Sequence, residues 1–239
     1  MKKNVWHTLE SHPELRFGQY VVPNFVSNSV ALKVDDNEFV VVSPGKSLLE
    51  NWPAEWQNEN VKLHIIMPNG FHYMGVEAWQ AAFPRHTLYA SCHAIGRLVE
   101  KGVANKASGI VALEDHQPPL PKGYSVLFPP GHRAGDVWLK KEREFGLTTW
   151  ITCDSFLNYE RMSNQPIAKA MQRLLGAAPG LKISQVVKWY IIEDKKAFKH
   201  WALDLLETET LYTLIPSHGE IAEREGLGDE IKALLKSRL

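Results

Sequence analysis

Four times in this chain a run of apolar, mostly β-branched residues stops at a turn, and a histidine or aspartate follows at once. The segments are MPNGFHYMG (67–75), FPPGHRAGDVWL (128–139), WITCDSFLN (150–158) and LIPSHGEI (214–221). Strand ends of a layered fold are where sites assemble, because the strands fix the Cα positions while the loops stay open. The residues presented are His72, His132, Asp154 and His218. Imidazole nitrogen and carboxylate oxygen are ligands for borderline divalent metals. With ten histidines in the chain, one histidine after a strand is ordinarily only a loop residue. The weight of the pattern lies in all four occurring together.

The rest of the chain suits a layered α/β domain. Residues 21–34 and 38–43 predict two strands around an Asp35-Asp36-Asn37 turn. KSLLENWPAEW reads as helical and interrupted at Pro53, and 61–67 as a short buried strand. Helices are expected over 76–82 and over 92–102, the latter ending at Gly102, with a strand at 86–91 between them. Strands follow at 109–113, 124–128, 136–141 and 147–154. Helices are then expected over 165–175 and 184–206, a last strand over 210–216, and an amphipathic helix at the C-terminal end. No repeat or low-complexity tract interrupts this order, so one domain over 1–239 is expected.

Composition narrows the function classes. Lys plus Arg and Asp plus Glu are equal at 27 each, which gives no electrostatic footprint for nucleic acid, and no nucleic-acid partner is expected. The longest apolar runs are too short to span a bilayer, the N-terminal stretch has no apolar core of a secretory signal, and no membrane partner is expected. Cys92 and Cys153 form no CxxC pair, so a thiolate zinc site or disulfide framework is not indicated, and a reduced cytoplasmic chain is the simpler reading. Cys153 ends an apolar strand and reads as a small hydrophobe, not a nucleophile. Ser155 lacks a G-x-S-x-G context. The eight tryptophans are scattered along the sequence and read mostly as core and element anchors.

The motifs resemble those of the metallo-β-lactamase superfamily. PPGHRAGDVWL resembles its P-G-H loop, TCDSFLN its G-D strand end, and LIPSHG its last strand with a histidine before glycine. The elements run in the family's order. The family's leading signature, H-x-H-x-D-H, is here rewritten: Met67–His72 reads M-P-N-G-F-H, so only the final histidine survives, as His72. Met67 and Asn69 stand where two imidazoles would be, and Phe71 where the aspartate would be.

The resemblance implies a four-layer αββα sandwich. It also implies that the first of the family's two metal sites keeps only His132 and Asp154, while the second keeps His72, Asp154 and His218. A full binuclear centre is therefore not expected. The cofactor expected is at most one zinc or other divalent transition metal ion, held by some or all of His72, His132, Asp154 and His218. Two function classes stand open. One is a metal-dependent hydrolase acting on a small-molecule ester, thioester, lactam or phosphoester. The other is a non-catalytic relative that binds a ligand or partner without turnover. Met67 and Phe71 favour this second class, and the retained His72, His132, Asp154 and His218 favour the first. Loops 114–123 and 155–166, which would select a substrate, carry no signature.

Overall fold

The computed structural model describes residues 2–22 and 25–239. The chain divides into two compact units, Met1–Lys122 and Gly123–Leu239. Among the described residues no helix is long and apolar enough to cross a membrane.

The first unit is built on a seven-stranded sheet whose spatial order follows the chain: Trp6–Leu9, His12–Val22, Phe25–Lys33, Glu38–Val42, Lys62–Ile66, His86–Ala90 and Val111–Ala112. The first four strands pair antiparallel. The expected strand over 21–34 runs through residues 23 and 24, which lie outside the described residues; Phe25–Lys33 is strand. The Asp35-Asp36-Asn37 turn forms as expected, with Asp35 Oδ1 accepting from the Asn37 N–H at 2.7 Å and Val34 N–H donating to Glu38 O at 2.9 Å. From Glu38 onward the strands pair parallel, joined by crossovers that carry helices Lys46–Leu49, Val76–Ala82 and Cys92–Glu100.

Local chemistry sets those helix ends. Ser91 caps the third helix through Ala94 N–H, and Pro84 forces Phe83 to an extended φ of −121°, which ends the second. Leu63, Ile65 and Met67 alternate into an apolar cluster with Phe39, Val41 and Trp79. The tryptophans are not scattered in space. Trp6, Trp52, Trp56 and Trp79 meet mostly edge to face, with Trp52 and Trp79 centroids 5.3 Å apart.

The second unit carries a five-stranded sheet of Ala222–Glu223, Thr210–Ile215, Leu147–Ile151, Trp138–Glu142 and Tyr124–Leu127, in that spatial order. A three-stranded sheet joins Gly180–Lys182, Leu157–Tyr159 and His218–Gly219. Trp138, Trp150, Phe156, Phe198 and Trp201 form its aromatic centre. Trp189 departs from the core-anchor expectation and is 65% exposed.

The continuous helix expected over 184–206 is broken into a π-helical turn at Val187–Ile191 and an α-helix at Lys195–Thr208. The reason is local. Arg133 N–H donates to Ile191 O at 2.9 Å and Glu193 N–H to Gly131 O at 2.7 Å, so this stretch is drawn into pairing with the 128–136 loop. Asp194 then restarts the helix as its N-cap, accepting from Ala197 N–H at 2.9 Å.

Candidate metal centre

Strand register brings Asp154 and His218 together. Leu147–Ile151 and Thr210–Ile215 pair in parallel, with Ile151 opposite Ile215. Asp154 and His218 each stand three residues beyond that last pair, so the two strands deliver them to the same edge of the sheet. Beyond the strands the chain pairs again, Leu157 opposite His218 and Asn158 opposite Gly219. The result is a His218 Nε2 to Asp154 Oδ1 distance of 3.1 Å, with both side chains mostly but not fully buried, at 15% and 11% exposure. A carboxylate and an imidazole held this way, still reachable from solvent, are a fit donor pair for a divalent ion.

His132 is placed differently. Its Nε2 lies 2.9 Å from Ser155 Oγ and 3.7 Å from Asp136 Oδ2, and its Nδ1 lies 3.3 Å from Pro130 O. Its ring packs edge-on to Phe198, centroids 4.6 Å apart. Both nitrogens are thus engaged by protein groups in a buried pocket. Ser155 and Asp136 approach the same nitrogen, and Ser155 is fully buried, so the trio lacks the order of a nucleophilic Ser–His–Asp relay. Asp136 also accepts the Asp154 backbone N–H at 3.2 Å and so holds the turn that carries Asp154.

Sequence reasoning missed Asp136 and treated Ser155 only as a nucleophile to be dismissed. The one available signal was Asp136 four residues after His132 in H-R-A-G-D. Asp136, Cys153 and Asp154 each offer an atom within 4.8 Å of the other two, so Asp154 is not the only carboxylate here.

His72 belongs to the first unit and is built by a turn. Asn69, where the family signature would carry an imidazole, uses its Oδ1 to accept from Phe71 N–H at 2.8 Å and His72 N–H at 3.2 Å. Arg97 fixes the same loop, donating from Nε to Gly70 O at 3.0 Å and stacking its guanidinium 4.4 Å from the Phe71 ring centroid. Met67 is fully buried in the core cluster. His72 is also buried, with Nδ1 2.8 Å from Ser43 Oγ.

Burial, with the Asp136 and Asp154 charges adding to it, holds the Cys153 thiol well above the usual range, so it stays protonated. That agrees with reading Cys153 as a small hydrophobe. Burial and the Asp154 charge push the Tyr159 phenol up to about 12, which leaves it a neutral hydrogen-bond donor.

No protein-family profile matches the chain, and no curated protein matches it in sequence. Solved structures do. The Flv1 flavodiiron core of Synechocystis sp. PCC6803, solved after metal soaking, superposes with a TM-score of 0.60 at 16% identity over 98% of this chain, which spans 60% of that one. A diflavin flavoprotein fragment from Nostoc sp. PCC 7120, described as putative, gives 0.63 at 11% identity, covering 98% of this chain and 96% of that one. A metallo-β-lactamase from Pontibacter korlensis gives 0.58 at 12% identity, covering 97% and 98%. Each of these superpositions covers nearly the whole chain, and this protein has the α/β fold of the metallo-β-lactamases.

Proposed function

We propose that this chain is a metal-dependent hydrolase that binds at most one zinc or other divalent transition metal ion, with a small molecule as substrate. The reading takes the two units as halves of one domain and gives the ion His72, Asp154 and His218. His132 serves the loop instead. The observation that carries it is the Asp154–His218 pair, set at one sheet edge by parallel register with 3.1 Å between donor atoms. The resemblance in sequence supplies His72 as third ligand, and three protein ligands are the usual complement of a catalytic site. When bound, such an ion polarises a carbonyl or phosphoryl oxygen and lowers the pKa of water toward ~7. The chain's own residues orient its ligands. Asp136 holds the backbone of Asp154, and the Asn158–Gly219 pairing holds His218. With two free thiols, one exposed and one buried, the reading places the protein in the reducing cytoplasm, without a nucleic-acid partner.

The test is elemental analysis of protein purified without chelator, alongside a panel of ester, thioester, lactam and phosphoester substrates. The expected result is no more than one equivalent per chain, lowered by Asp154→Asn, with turnover abolished by chelator. Two tightly held equivalents would show that the 67–72 segment still builds a second site. No metal under replete conditions, with the fold unchanged, would favour the non-catalytic reading suggested by Phe71 beneath Arg97.

A further inference from the structure

We propose that Ser43 and Tyr20 are positioning residues for His72: the Ser43 hydroxyl accepts a hydrogen bond from Nδ1–H and so assigns Nε2 as the nitrogen that meets the ion. This rests on His72 being a ligand, as proposed above.

Three separated segments meet here. Tyr20 comes from strand His12–Val22, Ser43 follows strand Glu38–Val42, and His72 closes the Asn69 turn. Tyr20 Oη lies 3.0 Å from Ser43 Oγ, which lies 2.8 Å from His72 Nδ1, and all three residues are buried. Ser43 continues the parallel pairing, donating its N–H to Ile66 O at 3.0 Å, yet its φ is +54°. Glycine is the default residue in that region of backbone space, and a non-glycine there is held by its surroundings. Ser29 does the holding: its hydroxyl donates to the Ser43 carbonyl and accepts from Gly45 N–H at 2.9 Å. Tyr20 is equally fixed, since a Cβ added at Gly45 would overlap its ring. A serine where the backbone favours glycine points to a use for its hydroxyl.

The use follows from proton counting. A hydroxyl has one proton and two lone pairs. When Ser43 donates to Tyr20 Oη, its lone pair faces His72 and selects the Nδ1–H tautomer, with the Nε2 lone pair available to a metal. When Ser43 instead donates to Nδ1, the ring carries its proton on Nε2 and cannot ligate through it. Partners of this kind set ligand tautomer and orientation in metal sites generally.

The experiment uses the full chain, wild type, Ser43→Gly and Tyr20→Phe. Glycine suits the positive φ at 43, so Ser43→Gly removes the hydroxyl without adding backbone strain. Two readouts are taken: the His72 ring-nitrogen shifts by long-range proton–nitrogen NMR on the metal-free protein, and the zinc Kd by competition with a chromophoric chelator. We expect Nδ1–H in the wild type and a mixture of tautomers in both variants. Zinc affinity should fall about 10–100-fold in Ser43→Gly and less in Tyr20→Phe. An Nε2–H wild type, or a Ser43→Gly protein with tautomer and zinc affinity unchanged, overturns the proposal. A wild type that binds no zinc sinks the metal reading instead, and the tautomer measurement still decides the role of Ser43.

Discussion

Gly219, the residue after His218, is where the site and the stability of the fold meet. Its φ is +98°, and an added Cβ would overlap the backbone carbonyl of Asn158, the residue it pairs with. Gly219→Ala therefore meets two penalties: backbone strain of about 1–2 kcal/mol and an overpacking cost of about 1–3 kcal/mol. Gly226 separates them. Its φ is +74°, but no heavy atom lies within 4 Å of where its Cβ would be, so Gly226→Ala meets the strain alone. For a chain of this length about 3 kcal/mol lowers Tm by ~6–12 °C, against ~2–4 °C for the roughly 1 kcal/mol expected at Gly226. Calorimetric melting of the three proteins measures both shifts. The Asn158–Gly219 pairing also holds His218 beside Asp154, so on the proposed metal reading zinc affinity should fall in Gly219→Ala and stay unchanged in Gly226→Ala. Equal Tm shifts for the two variants would refute the assignment of a backbone collision at Gly219.

Three further outcomes are expected. His132→Ala should lower Tm, because it leaves buried Ser155 and Asp136 short of a partner at about 1–3 kcal/mol; on the proposed metal reading it leaves metal content unchanged, and a lower metal content would assign His132 as a ligand. Native protein at pH 8 should react with a thiol reagent at Cys92 alone and at both cysteines in denaturant, since Cys153 is buried with its thiol held protonated; two fast thiols in native protein would contradict this. Hydrogen bonds from Lys62 and then His64 lower the Glu38 carboxyl pKa, so its contribution is present above the unfolded carboxylate value and is lost as pH falls through the folded one. The stability gap between wild type and Glu38→Gln, followed by urea denaturation, should be full at neutral pH and close as pH drops below ~4.3. A gap independent of pH would show that Glu38 acts only through packing.

The sequence by itself carried the α/β order, the helix Val76–Ala82 to the residue, and the four strand-end loops with their histidines and aspartate. These were legible because each is local: hydrophobic period, proline and glycine punctuation, and a polar residue just past a strand. What stayed hidden depends on partners distant in the chain. Nothing local to 184–206 says that Gly131 and Arg133 will capture its backbone and break the helix. Tryptophans spread from Trp6 to Trp79 meet edge to face only because the sheet gathers them. Asp154 and His218 meet because Ile151 pairs with Ile215 in parallel, a register that no residue near either one encodes alone. The contacts of His132 with Ser155 and of His72 with Ser43 span 23 and 29 residues. Which imidazole nitrogen faces which oxygen is thus a property of packing, and tertiary structure alone decided it.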